Sequence, residues 1–353
     1  MNLSFHFILT TLFIVCFVFS LLINYILLRF AQTLGMRNKD VQQIRWNPDS
    51  KPSLGGISFY VIFLFAFIFT IILPHSNTSS GFNIHVIGIL MSATLAFLMG
   101  LADDAFNTQP LLKFLTQIFC ALIVIFSDHS VMIFQNQFLN YLVTIVWIVG
   151  LMNSVNMLDN MDGITCIVSI LACFFMITVN VSLFNTNSYA TMLNLGVLGA
   201  LCGFLVYNFH PSKMFMGDTG SQFLGLFLGV MGIDNCWNSP TSELVNGFPV
   251  ANIVIVCLVF LLPLTDTTAV IINRLRAGTS PFVGGKDHTT HHLFFKGITE
   301  KRIAILFFLL GSIGIIFAYL LVLHFSYPLF YASIVYCLLV FASLYLNTII
   351  KKR

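Results

Sequence analysis

Charge is scarce in this 353-residue chain: 8% of its residues are Asp, Glu, Lys or Arg, and 58% are hydrophobic. An ordinary soluble domain carries roughly 25% charged residues, so a water-soluble globular protein is excluded and a polytopic membrane protein is implied. The formal net charge of +3 is too small for a nucleic-acid-binding surface, and no nucleic-acid partner is expected. Thiol motifs are lacking as well. Seven of the eight cysteines (Cys16, Cys120, Cys166, Cys173, Cys202, Cys257 and Cys337) fall inside apolar runs without CxxC spacing, which leaves them as packing residues at lipid depth. There is no HExxH helix, internal repeat, low-complexity tract or separable linker, so a single integral domain over residues 1–353 is expected. The first apolar run lacks a basic leader segment and exceeds the roughly 7 to 15 residues of a signal-peptide core; it is expected to remain as a helix.

Long apolar stretches are what the chain does have. A transmembrane helix needs about 20 mainly apolar residues, and eleven candidate runs stand between polar breaks: 5–30, 54–73, 84–101, 111–126, 138–152, 164–184, 192–207, 223–233, 250–272, 303–323 and 329–350. Cytoplasmic loops carry an excess of Lys and Arg. One alternating set of breaks holds Arg37, Lys39, Arg45 and Lys51, then Lys213, then Arg274, Arg276, Lys286, Lys296, Lys301 and Arg302, and last Lys351, Lys352 and Arg353. The other set, 74–83, 127–137, 185–189, 234–247 and 324–328, holds no Lys or Arg. The expected fold is therefore an all-α bundle of about eleven transmembrane helices, N-terminus periplasmic and C-terminus cytoplasmic, with the lipid bilayer as its surroundings.

The basic face also collects Asp103 and Asp104 after the third run, Asp159 and Asp162 after the fifth, and Asp218 before the eighth. Acids are costly beside hydrocarbon, so those at helix ends in a nearly charge-free chain are functional candidates by default. Helix capping is the structural alternative for any one of them; it weakens when all five come with Gly, Asn and Lys in compact motifs. Magnesium takes hard oxygen ligands, usually one or two carboxylates with water and phosphate oxygens, which suits an Asp cluster without a Cys/His set. Such a metal would neutralise a diphosphate leaving group and align the attacking oxygen.

The break after the ninth run contains Ser280-Pro281-Phe282-Val283-Gly284-Gly285-Lys286-Asp287-His288-Thr289-Thr290-His291-His292. Its three His, one Lys and hydroxyls make a donor-rich surface for phosphate or sugar oxygens; a zinc site is the alternative for three imidazoles. Asp266 stands within the ninth run, about two helical turns before Arg274. It is read as the structural partner of a basic residue.

Together these residues resemble the polyprenyl-phosphate N-acetylhexosamine-1-phosphate transferases, glycosyltransferase family 4, which includes phospho-MurNAc-pentapeptide transferases and the GlcNAc-1-phosphate transferases that start O-antigen and related glycans. The pieces occur in family order: Lys51-Pro52-Ser53-Leu54-Gly55-Gly56, Gly100-Leu101-Ala102-Asp103-Asp104, Lys113 to Gln117, Asn153-Ser154-Val155-Asn156-Met157-Leu158-Asp159-Asn160-Met161-Asp162-Gly163, Phe215-Met216-Gly217-Asp218-Thr219-Gly220-Ser221, and the histidine loop. The resemblance implies attack of undecaprenyl phosphate on the β-phosphorus of a UDP-N-acetylhexosamine, with release of UMP, in a bacterial inner membrane with the active site on the cytoplasmic face. It implies magnesium as cofactor, with manganese as a substitute, and allows a homodimer. Asp218 resembles the family's metal ligand, with Asp159 assisting it or the catalysis, and Asp103 and Asp104 resemble the catalytic pair near the lipid phosphate. A phosphate monoester is largely ionised at neutral pH, so positioning is the alternative to a general base for this pair. Asp162 and Phe215 match positions associated with uridine, although Phe215 is one of 38 Phe and packing is the alternative. Asn156, His288, His291 and His292 are assigned to substrate binding; Lys113 is assigned to phosphate, with snorkelling from its helix end as the alternative. The loop Asp287-His288-Thr289-Thr290-His291-His292 departs from the triple His of the pentapeptide-using branch, which favours a plain UDP-N-acetylhexosamine such as UDP-GlcNAc or a deoxy derivative.

A secondary transporter is the rival reading, with sites near mid-membrane on broken helices and often repeated halves. Here the acids crowd one face and no repeat is visible. A non-catalytic scaffold would need no aspartate cluster.

Overall fold

The computed structural model describes residues 3–33, 51–72, 84–184, 189–239, 250–280 and 285–349, and every regular element among them is helical. Apolar runs in lipid have no water to satisfy their backbone, so each closes its hydrogen bonds within itself. The helices are α1 (Leu3–Thr33), α2 (Gly55–Ile72), α3 (Ile84–Phe106), α4 (Pro110–Phe126), α5 (Gln137–Leu158), α6 (Ile164–Val179), α7 (Tyr189–Asn208), α8 (Gly217–Gly232), α9 (Val250–Val259), α10 (Leu261–Arg276), α11 (Thr289–Phe295), α12 (Glu300–Leu323) and α13 (Tyr327–Ile349). Among the described residues, eight helices are long and apolar enough to cross a membrane, or nine if α9 and α10 count as one span. This is a multi-pass membrane protein. Arg37, Lys39, Arg45, Lys351, Lys352 and Arg353, the breaks 74–83 and 240–247, and 281–284 of the histidine loop lie outside the described residues.

The ninth apolar run corrects the expectation of one continuous helix: α9 and α10 meet at Phe260 with a bend of 84°. Pro263 supplies the reason. It has no N–H to return to the carbonyl of Val259, so α9 cannot wind on, while Pro is tolerated in the first turn of the new helix.

The bundle is organised around α8, which packs against α2, α3 and α5. Every residue from 219 to 232 is buried, as expected of a helix that is apolar all round from Phe223 onward. Phe63 and Phe223 lock α2 to α8 edge to face, with centroids 5.4 Å apart. Two glycines bring the polar ends together. A Cβ built on Gly100 would run into the backbone of Asp218, so α3 approaches the first turn of α8 because Gly100 has no side chain. Gly217 has φ +71°, a conformation that glycine adopts freely, and it turns the preceding chain into α8 so that Asp218 lies in the first turn of the helix.

Candidate active site

The ends of α3 and α5 and the starts of α4 and α8 meet at one end of the bundle, and their polar side chains interlock. Asp103, buried at the end of α3, accepts the N–H and the hydroxyl of Thr108, both at 2.8 Å, and pairs with Lys113. The same ammonium lies 3.5 Å from Oδ2 of Asp218. On its other side, Asp218 Oδ1 accepts from Asn156 Nδ2 at 2.8 Å, and that amide also reaches Ser221 Oγ at 2.8 Å. Asp218 is therefore flanked by a cation from α4 and an amide donor from α5. One turn deeper, Gln117 donates to Gln222 at 3.1 Å and accepts from Asn153 at 2.8 Å. These amides tie α4, α5 and α8 together directly below the charged groups.

Asp104 plays a different part from its neighbour. Its Oδ1 accepts the Asp218 N–H at 3.0 Å, and its Oδ2 accepts the Thr219 N–H at 2.8 Å and the Thr219 hydroxyl at 2.6 Å. The first N–H groups of a helix have no partner within it, and Asp104 supplies the missing acceptor from another helix. Capping thus accounts for Asp104, whereas Asp103 faces Lys113.

Asp159 ends α5 as its C-cap. Burial first, and then the charges of Asp218, Asp104 and Asp162, push its carboxyl up to about 8. Asp162 is buried and held by the 210–212 turn: Ser212 donates through its hydroxyl at 2.7 Å and its N–H at 2.9 Å, and His210 Nδ1 lies at 3.2 Å. Lys51 Nζ is 3.8 Å away. His210 also reaches Glu300 at 3.1 Å. Asp162, His210 and Glu300 form the one set of three ligand atoms within 4.8 Å of one another among the described residues. Within it His210 bridges the two carboxylates, and Asp162 already accepts from Ser212 and lies near Lys51. Lys51 additionally stands 5.3 Å over the Phe215 ring, a cation–π arrangement. The backbone explains the Lys51 motif: Phe215 N–H bonds Pro52 O at 3.0 Å, and Gly55 and Gly56 N–H bond the Phe215 and Met216 carbonyls at 3.1 and 3.0 Å.

The histidine loop docks alongside. Asp266, fully buried in α10, accepts from His288 Nδ1 at 2.7 Å, Thr289 N–H at 2.8 Å and Thr289 Oγ1 at 2.6 Å. Its partner is thus His288, and Arg274 instead forks onto Asp287, with Nε and Nη2 at 2.7 and 2.8 Å from the two oxygens. Burial alone would raise the Asp287 carboxyl, but the Arg274 guanidinium holds it below its ordinary value. Thr290 Oγ1 donates to Asn160 Oδ1 at 2.6 Å, and His291 Nε2 lies 3.4 Å from the Asn160 carbonyl. Burial, reinforced by the neighbouring His288, takes His291 down to about 4; burial also lowers His292. The three imidazoles form no metal-ligand set among the described residues, and the zinc alternative gains no support.

The structure thus brings Asp103, Asp104, Lys113, Asn156 and Asp218 into one hydrogen-bonded centre and sets Asp159 beside it. Asp162 and Phe215 share the Lys51 side, His291 joins through Asn160, His288 is held on Asp266, and His292 stands against Phe295. Sequence reasoning missed His210, Ser212, Glu300 and Thr108. Thr108, His210 and Ser212 are small or loop-borne polar residues near a motif, Glu300 begins α12, and none carries a spacing signal of its own.

Residues 86–235 match the family model of Glycosyl transferase family 4. The chain is 26% identical over 311 residues to "Probable undecaprenyl-phosphate N-acetylglucosaminyl 1-phosphate transferase" of Bacillus subtilis, covering 85% of this chain and 81% of that protein. It is 26% identical over 311 residues to decaprenyl-phosphate N-acetylglucosaminephosphotransferase of Mycolicibacterium smegmatis, covering 81% of this chain and 74% of that protein. It is 28% identical over 283 residues to phospho-N-acetylmuramoyl-pentapeptide-transferase of Lactobacillus johnsonii, covering 74% of this chain and 82% of that protein.

Proposed function

We propose, from the match of residues 86–235 to Glycosyl transferase family 4 and the likeness to polyprenyl-phosphate sugar-phosphate transferases, that this chain transfers N-acetylhexosamine 1-phosphate from a UDP-sugar to undecaprenyl phosphate. An oxygen of the lipid phosphate bonds to the β-phosphorus, the bond from that phosphorus to the bridging oxygen breaks, and UMP leaves with the electron pair. The product is a lipid-linked diphosphate sugar that initiates a cell-envelope glycan. The observation that carries this reading is the convergence of Asp103, Lys113, Asn156 and Asp218 at one end of an apolar bundle.

That donor set fits a hard cation: every anionic group is a carboxylate, and Asp159 faces the charges of Asp218, Asp104 and Asp162. Asp218, assisted by Asp159, is the proposed holder of magnesium, for which manganese can substitute. When bound, the ion would neutralise charge on the diphosphate. Asn156 orients the Asp218 carboxylate, Asp104 fixes the turn that carries it, and Lys113 is the cation offered to phosphate. Asp103 holds that lysine beside the incoming lipid phosphate. The uridine end is assigned to the Phe215 and Asp162 side, and the sugar and its phosphate to His288, His291 and His292. The basic end of the bundle is assigned to the cytoplasmic face of a bacterial inner membrane. The loop chemistry favours UDP-GlcNAc or a deoxy derivative as donor.

The test is extraction of labelled lipid from purified protein given undecaprenyl phosphate, magnesium and sugar-labelled UDP-N-acetylhexosamines. A lipid-soluble labelled product is expected. No label in lipid with any donor, in folded protein, would overturn the proposal.

A further inference from the structure

Asp266 is a fully buried carboxylate on α10 that accepts from consecutive residues of the histidine loop: the His288 ring, the Thr289 N–H and the Thr289 hydroxyl. Burying a carboxylate costs desolvation energy that an apolar residue would avoid. What these bonds provide is geometry. They commit the Nδ1 side of His288, which fixes the ring and leaves Nε2 for other contacts, and they start α11. The far side of α11 is tied to the other half of the site, because Thr290 donates to Asn160 at 2.6 Å and His291 meets the Asn160 carbonyl at 3.4 Å. Asn160 directly follows Asp159. The base of the loop is fixed independently by the Arg274–Asp287 fork, and Lys296, just past α11, bonds Asn347 of α13 at 2.6 Å. The short helix is a strut between the bent α10 and the turn carrying Asp159.

We propose that Asp266 is a positioning residue for donor binding: it holds His288 and the first turn of α11 so that the histidine loop docks on Asn160 beside Asp159. This deepens, and rests on, the transferase function proposed above.

The test compares Asp266→Asn, Thr290→Val and the double variant with the parent protein, measuring KM for UDP-GlcNAc and for undecaprenyl phosphate separately. Asp266→Asn keeps the size of the side chain but can present an amide donor to His288, and Thr290→Val removes the tie from the same turn to Asn160. Each single variant is expected to raise the donor KM about tenfold, while the acceptor KM stays within about twofold. The double variant is expected to be no worse than about the more severe single one, because both changes break one linkage. Unchanged donor KM in folded Asp266→Asn protein, or equal losses for both substrates, would overturn the proposal. If Asp266→Asn fails to fold, Thr290→Val decides by the same criterion. Parent protein inactive with every UDP-sugar would overturn the transferase function and this inference together, whereas an active parent with an unaltered variant overturns the inference alone.

Discussion

Lys113 on α4 stands 3.5 Å from Oδ2 of Asp218 on α8 while it pairs with Asp103 on α3. One ammonium therefore serves two carboxylates that would otherwise face each other. Its replacement by Gln in Lys113→Gln removes both the screening and the cation offered to phosphate. The expected loss in kcat/KM is about a hundredfold, in the range seen when one charge-stabilising donor is removed, with the KM for undecaprenyl phosphate rising more than that for the UDP-sugar. Steady-state kinetics with each substrate varied in turn checks this; a rise confined to the UDP-sugar would place Lys113 elsewhere.

Asn156 donates to Asp218 at 2.8 Å and so determines which way the proposed metal-holding carboxylate points. Asn156→Ala is expected to raise the magnesium concentration for half-maximal activity about tenfold, as loss of an orienting partner does at metal sites. A magnesium titration of product formation reads it. An unchanged half-point with a lower maximal rate would contradict this role for Asn156.

The Gly100 backbone approaches Asp218 so closely that a methyl group has no room. Gly100→Ala is expected to push α3 from α8, lowering stability by about 1–3 kcal/mol and reducing activity by more than the fraction of protein lost. Thermal unfolding in detergent together with specific activity checks it. A variant matching the parent in both would show that the two helices separate freely.

Much of this was legible in the sequence because two of its signals are coarse and strong. Apolar length locates the helices: the described part of every run is almost wholly helical, although the ninth run is divided between α9 and α10. Aspartates in a nearly charge-free chain stand out because acids are costly beside hydrocarbon, and the fold gathers Asp103, Asp104 and Asp218 at one end of the bundle. The break at Phe260 was less visible, since Pro263 sits inside an unbroken apolar run and hydropathy ignores the missing N–H. Pairing was least visible. Asp266 and Arg274 are near in sequence, yet each bonds the loop that follows, and only the fold shows that Asp287 and His288 return to α10. Nor did spacing distinguish Asp103 from Asp104: adjacent residues on a helix point about 100° apart, so one meets Lys113 and the other meets the start of α8.

His291 is buried, and its imidazole is taken from an ordinary value near about 6.5 down to about 4. Between those values the unfolded chain binds a proton that the folded loop refuses. Stability is therefore lost as pH falls from about 6.5 towards 4 and is unaffected by this group at higher pH. The thermal midpoint of the parent protein is expected to fall more steeply over that interval than that of His291→Gln. Equal slopes would mean that His291 is protonated in the folded protein.

The most direct test of a metal-dependent transfer centred on Asp218 is UMP release by purified protein with undecaprenyl phosphate and UDP-GlcNAc, measured for the parent and for Asp218→Asn across a magnesium titration and in EDTA. The predicted result is lipid-dependent release that EDTA abolishes and magnesium restores in the parent, and that falls by about a thousandfold or more in Asp218→Asn. Release at the parental rate by Asp218→Asn, or in EDTA, would contradict it.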